Sequence, residues 1–198
     1  MTQFAALVPL LASSLFGFGA SVHGSGKVIH ESREVPAFHA VQVASGIHAE
    51  LLVGPLKPLD VSGDDNILPL VRTEVVDGEL RIGFQSNTSI ESTGDITVRI
   101  TAPALDSIGA SGGSVASGQV GAGDELSAEA SGGGKVALTG VEAGALDGKA
   151  SGGATLHFEG KARRFELELS GGASIRVLGK ARTQVSTSGG SSVASGDN

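Results

Sequence analysis

The tripeptide Ser-Gly-Gly recurs in the C-terminal half of the chain at a nearly constant interval. Its five serines are Ser111, Ser131, Ser151, Ser170 and Ser188, which gives intervals of 20, 20, 19 and 18 residues. Apolar residues alternate with polar ones around each tripeptide, as at Leu126, Ala128 and Ala130 before Ser131. Each copy therefore predicts a strand, a Ser-Gly-Gly corner, a second strand and a corner at a later glycine, such as Gly140.

A copy of about 20 residues is too short to bury its own apolar face, so neighbouring copies must stack. Coils of equal length stack in register in a parallel β-helix, with strands about 4.8 Å apart. A β-sandwich also needs alternating strands, but it does not need a 20-residue identity period. We predict an all-β fold, a parallel β-helix with ~20-residue coils, and take it as right-handed because such folds commonly are.

The region before the repeat also predicts strands. Ile47, Ala49, Leu51 and Val53 alternate with other residues, and Asp77-Gly78 is a hairpin turn signal. We therefore expect N-terminal strands and a hairpin that lead into the repeat, in a single domain. The predicted boundaries are 1–24 for a signal peptide, 25–37 for a linker and 38–198 for the domain, with the Ser-Gly-Gly repeats at 105–196.

Residues 1–22 are apolar and uncharged, and two triplets of the kind that signal peptidase cleaves follow, Gly19-Ala20-Ser21 and Val22-His23-Gly24. A short membrane anchor and a wrongly assigned start codon remain alternatives, because no basic residue precedes Lys27. No other segment approaches the ~20 apolar residues of a membrane helix. We expect an exported mature chain without an integral membrane span, which is periplasmic, secreted or associated with the cell surface.

Composition excludes several classes of function. The formal net charge of −7 argues against nucleic-acid binding, which depends on a basic surface. The absence of Cys removes disulfides, thiolate metal sites, a cysteine nucleophile and a lipidated N-terminal Cys. Trp and Tyr are also absent, so the core must be built mainly from Val, Leu, Ile and Ala, and no such ring is present to stack on a sugar.

At this point the chain resembles a bacterial family, the auto-transporter adhesin proteins with the head GIN domain. The resemblance runs roughly from Phe38 to Gly196. It is carried by the Ser-Gly-Gly repeat and by these segments in order: Phe38–Val43, Ser45–Ile47, Val61–Leu68, Thr73–Val75 and Asp77–Ile82. The resemblance implies an exported, β-helical, non-enzymatic protein with a surface or adhesive role, and it carries over no catalytic residues. No translocator follows the last repeat here, so we expect a protein that is not self-anchored.

Catalysis has to be weighed because several parallel β-helix enzymes cleave acidic polysaccharides. In the repeat alignment Glu129, Lys149 and Glu168 form one column, with charges that alternate at about one strand spacing per step. Glycoside hydrolysis needs two carboxylates at a set separation. An exposed charge ladder explains the column better, and we predict no catalytic residues. A β-helical polysaccharide-active enzyme, a lyase or a hydrolase, remains the alternative.

The remaining candidate groups predict no cofactor and no metal site. The corner serines have only one histidine in the repeat region, His157, which is expected to point outward. Asp64-Asp65-Asn66 offers too few oxygen ligands for a calcium loop and is typical of a turn. The other histidines have no paired ligand spacing; they are His23, His30, His39 and His48.

Basic residues are concentrated late in the chain, since half of the 14 Lys and Arg lie between residues 149 and 182. Counted forward from the later glycine corner, Lys161 matches Lys180 and Arg163 matches Arg182, which predicts a two-by-two basic patch. Such a patch suits an anionic glycan or a lipid head group, and the partner that we expect is an anionic polysaccharide or a surface protein. We expect an exported, adhesin-like binding or structural protein, and self-association through the coil ends, because the last coil has no evident cap.

Overall fold

A computed structural model describes residues 21–85, 89–91, 94–178 and 182–196. This part of the chain is all-β apart from a 3-10 helix at Leu68–Leu70. The strands are β1 (Ser21–His23), β2 (Val28–Arg33), β3 (Ala40–Val43), β4 (His48–Val53), β5 (Leu59–Asp64), β6 (Val71–Val76), β7 (Glu79–Phe84), β8 (Ser89–Glu91), β9 (Thr97–Ala102), β10 (Ser107–Ser111), β11 (Val115–Gln119), β12 (Gly123–Ser131), β13 (Lys135–Ala150), β14 (Thr155–Leu169), β15 (Ser174–Leu178), β16 (Arg182–Thr187) and β17 (Ser192–Gly196).

The strands stack into a β-solenoid with coils of about 20 residues, as the repeat predicts. Strands before each Ser-Gly-Gly corner pair in parallel in the order β7, β3, β10, β12, the second half of β13, the second half of β14, and β16; we call this face sheet A. Strands after the corner pair in the order β9, β4, β11, the first half of β13, the first half of β14, β15 and β17, which form sheet B.

Glycine is required at the corners for two physical reasons. At the third corner, Gly152 and Gly153 have φ of +63° and +80°. A residue with a Cβ adopts this left-handed backbone conformation only at a cost of about 1–2 kcal/mol. At the opposite corner the requirement is space, because a Cβ on Gly160 would overlap the carbonyl oxygen of Val141 in the adjacent coil. The glycine content therefore permits sharp corners and close coil stacking.

The core consists of inward-facing columns, one residue per coil. One column runs through Ile108, Ala128, Gly148 and Leu167, all buried between the sheets. Branched aliphatic residues and alanines dominate the core, as the composition predicts, and phenylalanines such as Phe158 also lie fully inside. Small residues such as Ala128 and Gly148 share a column with large ones such as Leu167, because the narrow coil leaves little internal volume.

The N-terminal end of the solenoid departs from simple coil order. The β3–β4 coil pairs with β7 and β9 on one side and with β10 and β11 on the other, so it lies between coils that follow it in sequence. Beyond β7 and β9, antiparallel strands close this end: β6 pairs with β7, β5 pairs with β9, and β2 pairs with β5. The Asp77-Gly78 hairpin is confirmed as the β6–β7 connection.

The segment 25–37, expected as a linker, contributes β2 to this end and is held by side chains. Ser25 Oγ donates to Asp65 Oδ1 at 2.7 Å, and Lys27 Nζ lies 3.2 Å from Asp65 Oδ2. Asn66 accepts from the Ser25 amide at 3.0 Å and donates to the His23 carbonyl at 2.8 Å. The hydrogen bonds from Ser25 and Lys27 lower the pKa of Asp65. The turn predicted at Asp64-Asp65-Asn66 therefore also anchors the preceding segment.

The N-terminal boundary stays a prediction. Residues 1–20 of the expected signal peptide lie outside the described residues, whereas Ser21–His23 form β1, which pairs in parallel with β8. The right-handed sense of the coil likewise stays a prediction.

Candidate functional site

Four exposed cations lie close together on the last coils, and we call them the basic cluster: Lys161, Arg163, Arg164 and Arg182. Three belong to the β14 part of sheet A, and Arg182 begins the neighbouring strand β16. Arg164 pairs with Glu166 at 3.6 Å. Within the described part of the chain, the other three cations have no carboxylate within 4.0 Å, which leaves most of the cluster available to a ligand.

The register of the cluster differs from the sequence expectation by one residue. Arg182 pairs with Arg164, not with Arg163, because both arginines lie six residues before their Ser-Gly-Gly serine. Counting forward from the glycine corner pairs Arg182 with Arg163 instead, because the last repeat is one residue shorter between that corner and its Ser-Gly-Gly serine. Arg164 is therefore a member that the sequence analysis missed, although counting back from the corner would have found it. Lys180, the fourth predicted residue, lies outside the described residues.

Lys161 and Arg163 line a broad, open groove of about 720 Å³ that also contains acidic residues. Lys161 is the register partner of Glu142, and Asp124 lies across the groove. A Cβ built on Gly144 would lie 2.8 Å from Arg163 Nη2, so the guanidinium crosses the backbone of the preceding coil. The groove is thus acidic on the earlier coils and basic on the later ones.

A second open groove of about 490 Å³ runs beside the Ser-Gly-Gly corners on sheet A. Its floor contains Glu129, Lys149 and Glu168, which are register partners on consecutive coils, so the predicted column is confirmed. Among the described residues no carboxylate lies within 4.0 Å of Lys149 Nζ. The three side chains form an exposed ladder in which each charge stays free to meet a solute.

The other candidate groups have structural partners. His157 Nε2 lies 2.9 Å from Glu159 Oε1 on its own strand, so its partner is a carboxylate. Two other histidines also have carboxylate partners at the surface. His30 Nδ1 lies 3.1 Å from Asp60 Oδ1, and His39 Nδ1 lies 3.0 Å from Asp106 Oδ1. In the ranges that the structure describes, no group of three His, Cys, Asp or Glu is arranged to hold a metal ion. These ranges also contain no helix long and apolar enough to cross a membrane.

Comparison with known proteins connects this geometry to a family. A family model described as "Putative auto-transporter adhesin, head GIN domain" matches residues 37–196. No curated protein sequence gives a significant match.

Solved structures share the fold over most of the chain. A putative adhesin from Bacteroides fragilis is similar at 19% identity and a TM-score of 0.66, covering 89% of this chain and 96% of its own. A putative lipid binding protein from Parabacteroides distasonis is similar at 13% identity and a TM-score of 0.57, covering 89% and 99%. A putative adhesin from the same organism is similar at 16% identity and a TM-score of 0.56, covering 90% of this chain and 98% of its own. At these identities the likeness shows the fold alone.

Proposed function

We propose a function for this chain, which belongs to the auto-transporter adhesin head GIN domain family. In this proposal it is an exported, non-enzymatic protein that binds an anionic polysaccharide at a cell surface. The observation that carries the proposal is the basic cluster. Four exposed cations lie on two adjacent strands of a chain whose formal net charge is −7. An acidic protein repels an anionic polymer at long range, so binding depends on such a local concentration of cations.

The shape of the surface also favours a polymer over a small molecule. Small ligands are usually buried in concave, mostly apolar pockets. The groove beside Lys161 and Arg163 is open and mixed in charge, and it runs across several coils. A repeating solenoid offers equivalent positions about 4.8 Å apart, which a polymer can contact along its length.

Affinity chromatography of the purified chain tests the proposal. We expect retention on immobilised heparin, which sodium chloride reverses, and no retention on neutral dextran. Surface ion pairs contribute about 0.2–1 kcal/mol each, which is about 0.8–4 kcal/mol for four, so replacing all four cluster residues with Ala should weaken binding at least about fourfold.

The matched control removes four exposed cations elsewhere, with the same change in net charge: Lys57, Arg72, Lys135 and Arg176, each replaced by Ala. This control should bind nearly as well as the parent. Equal losses in the two variants would mean that net charge alone determines retention. Binding to vesicles of phosphatidylglycerol without binding to heparin would replace the polysaccharide with a lipid headgroup.

The second groove supports one alternative, a β-helical polysaccharide-active enzyme. Glu129 and Glu168 lie two strands apart with Lys149 between them, which corresponds to about 10 Å between backbones and approaches the carboxylate separation of inverting glycosidases. Incubation with acidic polysaccharides would release reducing ends if this groove is catalytic, and Glu168→Gln would abolish the release. No product from the parent chain under conditions where it binds heparin would exclude this alternative for those substrates.

A further inference from the structure

The charge ladder of Glu129, Lys149 and Glu168 belongs to a longer line of residues on the outer face of sheet A. Each member of this line is the register partner of the next, on consecutive strands. In order along the solenoid they are Gln42, Gly109, Glu129, Lys149, Glu168 and Ser186. The three charged side chains are exposed, so the sign of the charge alternates at each strand spacing of about 4.8 Å.

The ladder charges do not pair with one another. Elsewhere on the solenoid, opposite charges at register partners pair directly, as Arg99 Nη2 and Glu50 Oε2 do at 2.9 Å. Among the described residues, by contrast, no carboxylate lies within 4.0 Å of Lys149 Nζ, and no cation lies within 4.0 Å of Glu129 or Glu168. All three groups therefore keep their hydrogen-bonding capacity for a solute.

The groove of about 490 Å³ beside the ladder is lined with hydroxyl groups. Two residues beyond each of the last four positions of the line lies the serine of a Ser-Gly-Gly corner, and all four serines line the groove. They are Ser131, Ser151, Ser170 and Ser188. A serine hydroxyl both donates and accepts hydrogen bonds, as the hydroxyls of a sugar do, so this wall suits a carbohydrate chain.

Gly109 makes room for an amide group at the β3 end of the groove. A Cβ built on Gly109 would overlap Gln42 Oε1, so the Gln42 side chain lies across β10. Gln42 also lines the groove, and its amide offers two donors and an acceptor. The polar surface therefore continues beyond Glu129 for two further strands.

A smaller recess of about 230 Å³ lies on the other side of Lys149 and Glu168, and Asp147 and Glu166 also line it. Asp147 Oδ1 is shielded from solvent and accepts no hydrogen bond from the described residues. A buried carboxylate oxygen without a donor is unfavourable. Rotation about χ2 of an aspartate is soft, so an ammonium group in this recess would supply the missing donor.

We propose that the groove beside the ladder binds a zwitterionic polysaccharide, in which sugars that carry an ammonium group alternate with sugars that carry a carboxylate. The ligand carboxylate pairs with Lys149 Nζ, and the ammonium groups of the two flanking sugars pair with Glu129 and Glu168. Adjacent sugars of an extended chain are about one strand spacing apart, so the charges match strand by strand. A uniformly charged polymer meets a like charge somewhere along the ladder. These side chains are not those of the basic cluster, so this proposal does not rest on the proposed function.

Two polymers that differ in one group test the proposal: hyaluronan, and N-deacetylated hyaluronan, which has an ammonium group in place of each acetamide removed. Binding is measured at low salt and mildly acidic pH, where the ammonium groups and the carboxylates are both charged. The parent should bind the N-deacetylated polymer at least about twofold more tightly, as expected for two added surface ion pairs. Equal affinity for the two polymers would overturn the proposal.

Glu129→Gln combined with Glu168→Gln should remove this preference without changing the thermal unfolding midpoint. The matched control is Glu34→Gln combined with Glu74→Gln, which changes the net charge equally at two exposed positions near the closed end of the solenoid. The control should keep the preference of the parent. Equal losses in the two double variants would mean that net charge causes the preference, which would contradict the site.

Lys149→Gln tests the alternation itself. It should weaken binding to N-deacetylated hyaluronan and strengthen binding to chitosan, which carries ammonium groups and no carboxylate. Unchanged binding to both polymers would reduce the site to an acidic surface and overturn the zwitterionic assignment. The variant without the basic cluster should keep the preference for the N-deacetylated polymer. A parent that shows this preference but is not retained on heparin would contradict the proposed function and leave the ladder site in place.

Discussion

The Ser114 hydroxyl donates a hydrogen bond to the carbonyl oxygen of Val43 at 2.9 Å, in a position with no solvent exposure. Ser114 belongs to the first Ser-Gly-Gly corner, and Val43 ends β3, so the bond ties the regular repeat to the coil inserted before it. The hydroxyl also contacts the Ser111 carbonyl oxygen. In the next three repeats the equivalent residues are Gly134, Ala154 and Ala173, which contain no hydroxyl.

Ser114→Ala should therefore lower the free energy of unfolding by about 1–3 kcal/mol, because it leaves the Val43 carbonyl without this buried donor. Urea unfolding measures the loss. Ser191→Ala is the matched control, since Ser191 occupies the same repeat position but bonds Ser188 at an exposed site, and it should change stability by less than about 0.5 kcal/mol. A loss of the same size in both variants would show that the bond to Val43 has no special role.

Leu167 occupies the space that a side chain at Gly148 would need. A Cβ built on Gly148 would lie 2.9 Å from Leu167 Cδ2 and 3.3 Å from Leu156 Cδ1. Gly148→Leu should overpack the coil and cost about 1–3 kcal/mol of unfolding free energy. Leu167→Ala alone should cost about 2–5 kcal/mol through the cavity that it leaves. The double variant should lose less than the sum, by about 0.5–3 kcal/mol, and strictly additive losses would contradict the shared space.

The anchored segment at Ser25 and Lys27 predicts a pH dependence of stability. Their hydrogen bonds lower the folded-state pKa of Asp65 below its ordinary value of 3.8. A group whose folded pKa is depressed stabilises the fold above its unfolded pKa, and the stabilisation is lost as the pH falls from about 3.8 through the folded value. Asp65→Asn should lower stability at neutral pH and reduce its decrease below pH 4. An unchanged acid profile, measured by thermal unfolding from pH 2 to 7, would contradict this role.

The repeat itself could be predicted with high fidelity. Ser111 to Ser188 divide the chain into coils, and the alternation around them identifies the inward residues that the structure buries, such as Leu146 and Leu156. The Glu129–Lys149–Glu168 column follows from the same alignment. These predictions succeed because a parallel stack of nearly equal coils converts sequence spacing directly into register.

At the basic cluster, sequence spacing does not predict the strand register. Arg163 and Arg164 are both exposed, so the strand departs from simple alternation there, and counting from the two corners gives different partners for Arg182. The repeat shortens by one residue in this region. Register is restored at the Ser-Gly-Gly corner, where backbone conformation and coil contact are both constrained, and not at the other corner.

The sequence by itself therefore determined the coil, its corners and the chemistry of each column, since these depend on local alternation and on glycine at fixed spacing. Only the tertiary structure decided the insertion of the β3–β4 coil between β7–β9 and β10–β11, and the antiparallel closure of one end by β2, β5 and β6. Those features depend on which strand edges remain free once neighbours have paired. A backbone edge accepts any strand of suitable length, so local sequence patterns do not specify the choice.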